Sequence, residues 1–323
     1  MNKRRKIYLL VTIIIAIIIG ICIVIIIISN INKQQEQIVQ SNVIKGIVIS
    51  KDENYKQKNI LSERDVGIQI NKGIATQIIE TLIETKEATA IHSYGNIKLE
   101  DSYIRAENAP AIILENTGTV ILDGVEVISA ENENQQIDNM AMVICNSDNS
   151  LENCGNFTSI NSILTLDSQS EKFTTNPMFL IENCKTDINL ENTIIMKKGN
   201  ILLKVQGENA LVTINAKKQN LEGDIELDDA GIININLSDE TNFIGSVNKN
   251  NIAREVNINI TENSLLMLTS DIYVTTIMTE NNNLDNIMSE GNNIYYDETN
   301  EKNAWLEGKI ILLNGGGYLI PRQ

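Results

Sequence analysis

The chain has 323 residues, of which 42% are hydrophobic and 4% aromatic, and its formal net charge is −16. This acidic balance argues against a nucleic-acid-binding surface, because phosphate contacts need clustered positive charge. A single histidine, His92, excludes multi-histidine metal sites and most histidine-based acid–base chemistry. The apolar fraction is too high for a disordered chain, so the composition predicts two ordinary domains or one elongated repeat domain.

The N-terminus has the pattern of a membrane anchor. Residues 3–6 are all basic, and residues 7–28 are apolar or small apart from Tyr8 and Thr12. At 1.5 Å per residue this run gives about 33 Å, enough to cross the hydrocarbon core of a bilayer. The run is longer than a signal-peptide core and residues 29–31 are a poor cleavage site, which favours an uncleaved anchor over a processed signal peptide.

Orientation follows from the basic cluster. Positive residues stay in the cytoplasm, so we expect a single-pass protein of the cell membrane with residues 1–6 inside and the C-terminal domain outside. The anchor's partner is the lipid bilayer. Residues 29–61, rich in Gln, Lys and Asn, are interpreted as a spacer, with a short strand expected within 43–50.

Internal repeats follow the spacer. Segments that begin at Ile70, Ile91 and Leu114 align, and their first apolar positions advance by 21 and then 23 residues. The stretches 97–104 and 120–127 alternate apolar and polar side chains, as half-buried strands do. Units of about 22 residues with this alternation are typical of a solenoid.

Later parts of the chain continue the pattern. Alternation is strict in 232–237 and 256–261, and 221–225 resembles 243–247. A last copy of that motif is assigned to 306–310. Three polar insertions are interpreted as projecting loops, at 130–139, 147–155 and 168–177.

Residues 62–323 are therefore predicted to form an all-β domain. Its expected fold is a single-stranded right-handed parallel β-helix with a C-terminal cap, preceded by one transmembrane helix. About ten coils spaced about 4.8 Å apart would form the rod. Asn suits its turns, because it tolerates left-handed conformations, and it can form ladders between coils. An antiparallel sandwich is the rival fold, but the Asn-Gly and Asp-Gly turns that its hairpins favour are rare here. Residues 76–85 have the spacing of a short helix, although their place in the repeat favours strand.

The repeats from about Val66 onward resemble the pectate-lyase-like, right-handed β-helix adhesins of bacterial surfaces. The stretches that carry the resemblance are 180–205, 221–227 and 265–277. The resemblance implies a surface-displayed protein with an adhesive or structural role. We also expect no cofactor. The chain has no LPxTG-type wall-sorting tail, so we expect membrane anchoring instead of covalent attachment to the wall.

Enzymes of this shape that cleave acidic polysaccharides use clustered carboxylates, often with Ca²⁺, and a basic residue. The candidates for that role are two acidic pairs, Asp228-Asp229 and Asp239-Glu240, which fall in turns one coil apart. Arg105 and Arg254 are the isolated arginines nearby, and neither lies in a recognisable motif. Solvated turn residues are the favoured interpretation. The sequence thus predicts no catalytic, cofactor-binding or metal-binding residue, and leaves weak Ca²⁺ binding by acidic turns open.

Histidine and cysteine positions suggest structural roles. His92 follows interior Ile91, so alternation points it outward. Cys145 and Cys154 bracket an insertion, and an exterior disulfide between them would leave Cys184 unpaired. The alternative is that all three cysteines are small buried residues of the stack.

Aromatic residues are few. Trp305 is the only tryptophan, and Tyr295-Tyr296 precedes it. With so few aromatic residues, a cap or core role for Trp305 is favoured over a sugar-binding platform, because the last coil of a solenoid needs a cover.

Three functions remain open from the sequence. The first is a membrane-anchored surface protein of adhesin-like or structural role that meets a glycan or protein ligand. The second is a polysaccharide-acting enzyme or its degenerate relative, and the third is a cell-envelope scaffold. A pocket with converging acidic and basic side chains would favour the enzyme, whereas a flat face lined by Asn and Thr would favour adhesion.

Overall fold

The computed structural model describes residues 43–131, 141–147, 153–168, 176–261 and 263–322. These residues form an all-β parallel solenoid of the right-handed type with about 11 turns, as the repeats predict. The predicted anchor, residues 7–28, lies outside the described residues. Among the described residues, no helix combines the length and the apolar character that a bilayer span requires.

Three long parallel sheets run along the solenoid axis, and successive coils add one strand to each. Sheet 1 contains β1 (Val43–Ile44), β4 (Asn59–Ser62), β7 (Leu82–Thr85), β10 (Tyr103–Glu107), β13 (Glu126–Glu131), β16 (Ile163–Ser168) and β19 (Ile194–Lys197). Sheet 2 contains β2 (Ile47–Ile49), β5 (Ile68–Ile70), β8 (Ile91–Ser93), β11 (Ile112–Glu115), β14 (Val143–Asn146), β17 (Phe179–Glu182), β20 (Ile201–Gln206) and β23 (Asp224–Leu227). Sheet 3 contains β3 (Glu53–Lys56), β6 (Ala75–Ile79), β9 (Asn96–Glu100), β12 (Thr119–Asp123), β15 (Asn153–Ile160), β18 (Lys185–Glu191), β21 (Leu211–Lys217), β24 (Ile232–Ser238), β26 (Glu255–Ile260) and β29 (Thr276–Thr279).

Two shorter sheets complete the C-terminal coils. Sheet 4 contains β22 (Asn220–Glu222), β25 (Asn242–Gly245), β27 (Leu265–Leu268) and β30 (Ile287–Met288). Sheet 5 contains β28 (Ile272–Val274), β31 (Ile294–Asp297), β32 (Ile311–Leu312) and β33 (Tyr318–Arg322). Short 3-10 helices span Glu280–Asn282 and Glu301–Leu306.

The core is a set of apolar columns that run from coil to coil. Within most strands buried and partly exposed side chains alternate, so one face of each strand enters the interior. The register of the parallel strands places apolar side chains of successive coils in contact. Burial of their apolar surface stabilises the fold by about 25 cal/mol per Å². One such column of sheet 3 consists of Ile97, Val120, Phe157, Ile188, Ile214, Ile235 and Ile258.

Left-handed residues turn the chain at the corners. Asn supplies eight of the sixteen non-glycine residues with positive φ among those described. Its short amide tolerates this conformation better than most side chains do. The predicted strand 97–104 is divided at such a corner by Asp101 (φ 46°), and 120–127 by Gly124 (φ 65°). Each predicted strand is therefore two strands from different sheets.

Four strands begin within the segment predicted as spacer, and one of them, β2, is the short strand expected within 43–50. β1 to β4 lie between residues 43 and 62, and they pair with the strands of the next coil. Residues 76–85 contain strands β6 and β7, as the repeat predicts. The three predicted insertion loops lie for the most part outside the described residues.

The solenoid changes its cross-section near residue 200. Sheet 1 ends at β19 and sheet 2 ends at β23, whereas sheet 3 continues to β29. The next strand on the side of sheet 1, β22, opens sheet 4 and does not pair with β19. Gly223, which follows β22, has φ 120°, a conformation that a side chain would disfavour. The offset leaves a groove between the two sheets.

The C-terminal coils end in a cap and a hairpin. Trp305 and buried Leu306 lie in the helix Glu301–Leu306, so the predicted motif copy at 306–310 is wrong. Asn303 Oδ1 accepts a hydrogen bond from Ile277 N at 3.1 Å, which satisfies a backbone donor of edge strand β29. The chain then forms the antiparallel pair β32–β33. Its turn contains the Asn-Gly pair 314–315.

The disulfide pairing differs from the Cys145–Cys154 bridge that the sequence suggests. Cys154 is bonded to Cys184, and Cys145 is a free, buried thiol. A Cys145–Cys154 bridge is therefore wrong. All three cysteines are buried, as the alternative interpretation predicts, but two of them are bonded to each other. Cys154 is the second residue of β15 and Cys184 directly precedes β18, and these two strands pair in sheet 3. The bond thus joins neighbouring coils, a proximity that arises from the register and not from the sequence.

Candidate binding surface

The outer side of sheet 3 is lined by amide and hydroxyl side chains over four consecutive strands, β18, β21, β24 and β26. Alternation places these residues outward, and the register from β18 to β26 has no irregularity. We call this surface the asparagine face. It consists of Asp187, Asn189, Thr213, Asn215, Asn234, Asn236, Asn257 and Asn259.

One column of the asparagine face is a continuous amide ladder. Asn236 Nδ2 donates to Asn215 Oδ1 at 2.8 Å, and Asn215 Nδ2 donates to Asn189 Oδ1 at 2.9 Å. Asn189 Nδ2 in turn donates to Thr158 Oγ1 at 3.2 Å. All of these bonds run in the same direction along the axis, so each amide fixes the orientation of the next.

A second column lies two residues away on the same strands. Asn257 Nδ2 donates to Asn234 Oδ1 at 2.9 Å, and Thr276 Oγ1 donates to Asn257 Oδ1 at 2.7 Å. An amide has two N–H donors and an oxygen with two lone pairs, so a ladder residue keeps donor and acceptor capacity for a ligand. The face therefore presents oriented hydrogen-bonding groups about 4.8 Å apart along the axis.

Charge is concentrated at the margin of this face. Lys217 Nζ lies 3.5 Å from Glu191 Oε1 and 3.6 Å from Asp239 Oδ2, at the corner that follows the strands. Within the face only Asp187 carries a formal charge. The surface thus suits a neutral ligand with many hydroxyl groups better than an acidic one, because the chain as a whole carries −16.

A second candidate is the groove where sheet 1 gives way to sheet 4. Its cavity volume is about 850 Å³. Ile195, Leu221 and Ile244 supply apolar lining, and Asn220 and Asn242 are joined by a 2.9 Å amide hydrogen bond. A volume of this size falls within the range of small-molecule and oligosaccharide sites. The charged lining residues are Lys197, Lys198, Glu222, Asp224 and Lys249.

Lys197 is the least solvated of the groove lysines. Burial lowers the pKa of its amine, while the charges of Glu222 and Asp224 oppose that change. Its Nζ donates to Gly199 O at 2.5 Å. A lysine with a lowered pKa can act as a proton acceptor, as catalytic lysines do.

Asp224 is engaged in a local network. It accepts hydrogen bonds from Lys249 Nζ at 2.8 Å and from Ser246 Oγ at 2.7 Å. Burial opposes ionisation of this carboxyl, but the bonds from Lys249 and Ser246 outweigh it and hold its pKa below the usual range. Asp224 therefore stays ionised and ties sheet 2 to the segment after β25.

The two candidate acidic pairs do not come together. Asp228-Asp229 precedes β24 and Asp239-Glu240 follows it, so the pairs lie at opposite ends of one strand. Asp228 accepts from the backbone N–H groups of Gly207 and Ala230, which is a turn-forming role. None of these four residues lines the groove.

The remaining predicted residues have local partners. Arg105 pairs with Glu107 at 3.1 Å on the outer side of sheet 1, and Arg254 is exposed before β26. His92 lies on the outer side of sheet 2, with its ring tilted against that of Tyr94 and its Nε2 atom 3.3 Å from Glu115 Oε2. In the described ranges no group of three His, Cys, Asp or Glu residues is arranged to hold a metal ion.

Comparison with known proteins adds no assignment to this geometry. No family model, no curated protein and no solved structure matches the chain. The fold is thus defined by its own strands and register.

Proposed function

We propose that this chain is a membrane-anchored bacterial cell-surface protein with an adhesin-like, non-catalytic role. Its binding surface is the asparagine face, and its ligand is a neutral, hydroxyl-rich glycan on a neighbouring surface. The observation that carries the proposal is the ladder Asn189–Asn215–Asn236. Side chains fixed in advance lose little rotamer freedom when a ligand binds, so a regular array favours a repetitive ligand.

The proposed location rests on two features. The basic residues 3–6 followed by the apolar run 7–28 favour a signal anchor with the solenoid outside. The Cys154–Cys184 disulfide supports an oxidising compartment, because such bonds are rare in the cytosol. Protease treatment of intact cells tests this location. Digestion of the solenoid with retention of a short membrane-bound fragment is expected, and full protection would contradict the proposal.

Binding is tested with the full chain in lipid nanodiscs on an array of neutral and acidic glycans. We expect selective retention of neutral glycans and loss of binding in the double variant Asn215→Val/Asn236→Val. Valine keeps the strand and removes both amides. Gln77→Val is the matched control, since Gln77 is an outward amide of sheet 3 outside the asparagine face. Absence of any retained glycan would favour a cell-envelope scaffold with no external ligand.

A polysaccharide-acting enzyme is the second candidate, and the half-buried amine of Lys197 is the observation that favours it. In that role the neutral amine would remove the C–H proton beside the carboxylate of an acidic sugar bound in the groove. The electron pair would form a C=C bond and break the adjacent glycosidic C–O bond, and the departing oxygen would take a proton from water. Incubation of the full chain with acidic and neutral polysaccharides tests it. Shortened products that disappear in Lys197→Met would favour catalysis over adhesion.

A further inference from the structure

An exposed apolar patch covers the outer side of sheet 5 at the C-terminal end of the solenoid. Ile310, Leu312 and Tyr318 are 65%, 65% and 45% exposed, values unusual for large apolar residues. Exposed apolar groups that lie together mark interaction sites more often than isolated ones do. The C-terminal patch consists of Ile310, Leu312, Tyr318, Ile320, Tyr295 and Tyr273.

The register arranges the patch in two rows. Leu312 is paired with Tyr318 across the hairpin, and continuation of that register places Ile310 opposite Ile320. On the other side Ile320 is paired with Tyr295, which is paired with Tyr273. The rings of Tyr273 and Tyr295 are stacked with centroids 4.7 Å apart. The longer row is therefore Tyr273–Tyr295–Ile320–Ile310, and it stops at β32.

β32 is the last strand of sheet 5, and no strand in the described part of the chain lies on its other side. Leu313 N donates to Gly317 O at 2.9 Å, so the backbone groups of Leu313 face β33. Backbone groups alternate along an antiparallel strand. Those of Leu312 and Ile310 consequently face away from β33, toward the open edge.

We propose that a second copy of this chain pairs with β32 in antiparallel fashion, about a twofold axis that passes near Ile311. In this register Ile310 of one copy lies opposite Leu312 of the other. Both residues direct N–H and C=O groups outward, so the pairing forms four backbone hydrogen bonds. Sheet 5 becomes a continuous eight-stranded sheet across the two copies.

The side chains support the same register. Ile310 of one copy meets Leu312 of the other on the outer side, so the longer row continues into the partner's Leu312–Tyr318 row. A twofold interface requires a surface that complements itself, and an apolar row with an antiparallel edge has this property. In the twofold arrangement, Ile310 of each copy packs against Leu312 of the other, which removes both side chains from water.

Charge also favours a second copy at this place. Two chains of −16 repel each other over most of their surface, but the patch itself has no acidic residue. The nearest charges along the strand, Glu307 and Lys309, form an ion pair with each other. Because the C-terminal patch is uncharged, two copies of this acidic chain repel each other least when they approach through it. This inference does not depend on the ligand proposed for the asparagine face.

Sedimentation velocity of the full chain in detergent, over a range of concentrations, tests the proposal. We expect a reversible dimer, and at least a tenfold weaker association for Leu312→Lys, which places two like charges beside the axis. Ile194→Lys is the matched control, because Ile194 is an exposed residue of β19, an edge strand of a different sheet. A wild-type chain that is monomeric at all concentrations, or a Leu312→Lys variant that dimerises normally, would overturn the proposal. So would loss of the dimer in Ile194→Lys.

Cysteine cross-linking gives a second measurement, which does not depend on a variant that weakens the association of the two copies. Residues opposite each other in a hydrogen-bonded antiparallel pair have Cα atoms about 5.5 Å apart, a separation that a disulfide can bridge. The double variant Ile310→Cys/Leu312→Cys should form a covalent dimer on mild oxidation, with peptide 310 linked to peptide 312. Cross-links at other positions alone, or no more dimer than the wild type forms, would contradict the register.

Discussion

Cys154 and Cys184 are joined by a disulfide between neighbouring coils, with their Cα atoms 5.7 Å apart. The two residues are separated by 30 positions in the sequence, so the bond closes a long loop of the unfolded chain. On the chain-entropy model such a loop contributes about 3–4 kcal/mol to stability. We expect the double variant Cys154→Ala/Cys184→Ala to have a free energy of unfolding lower by about that amount. Its midpoint of denaturant unfolding should therefore fall. An unchanged midpoint would mean that the bond constrains little of the unfolded ensemble.

Cys145 should behave in the opposite way from an exposed thiol. It is fully buried in β14, and burial raises its pKa to about 12. Because the thiolate is the reactive form, alkylation by iodoacetamide at pH 8 should be very slow in the folded protein. Denaturation without reductant should expose Cys145 alone of the three solenoid cysteines, as peptide mass spectrometry would reveal. Rapid labelling of Cys145 in the native state would contradict the buried position.

Much of the solenoid could be predicted from the sequence because its two determinants are local. Ile, Val and Leu alternate with polar residues in every coil, and the corners use residues that adopt left-handed conformations. The strands at 232–237 and 256–261 are confirmed on this basis as β24 and β26. The corners at Asp101 and Gly124 are harder to predict from the sequence, because the alternation of apolar and polar residues resumes directly after each of them.

Features that depend on contacts between distant coils were missed. The partner of Cys154 is set by the register of β15 on β18, which no spacing within the sequence reveals. The groove arises because β19 and β22 are offset, although both strands resemble the repeat. One available signal was the Asn314-Gly315 pair, which is typical of hairpin turns and lies in the turn of the β32–β33 hairpin.

The amide ladder should contribute to stability as well as to binding. Asn215 both donates to Asn189 and accepts from Asn236, so Asn215→Val removes two hydrogen bonds. At about 1 kcal/mol for each net bond, we expect a loss of about 2 kcal/mol, reduced by the higher strand preference of valine. Asn259→Val is the comparison variant, because Asn259 is an exposed residue of the same column that takes no part in the bonds joining Asn189, Asn215 and Asn236. Equal losses in the two variants, measured by urea unfolding, would show that the ladder bonds add nothing.

The network around Asp224 should make stability depend on pH in a defined direction. Hydrogen bonds from Lys249 and Ser246 lower the pKa of Asp224 below its ordinary value of 3.8, despite burial. A carboxyl whose pKa is lower in the folded state stabilises the fold fully above the unfolded value, and this contribution is lost as the pH falls through the folded value. Wild type should therefore be more stable than Asp224→Asn at pH 7, and the difference should shrink at pH 3 and below. Guanidinium unfolding of both proteins at several pH values measures it, and Asp229→Asn, an exposed turn residue, controls for general charge effects. A difference that grows on acidification would contradict the assigned direction of the pKa shift.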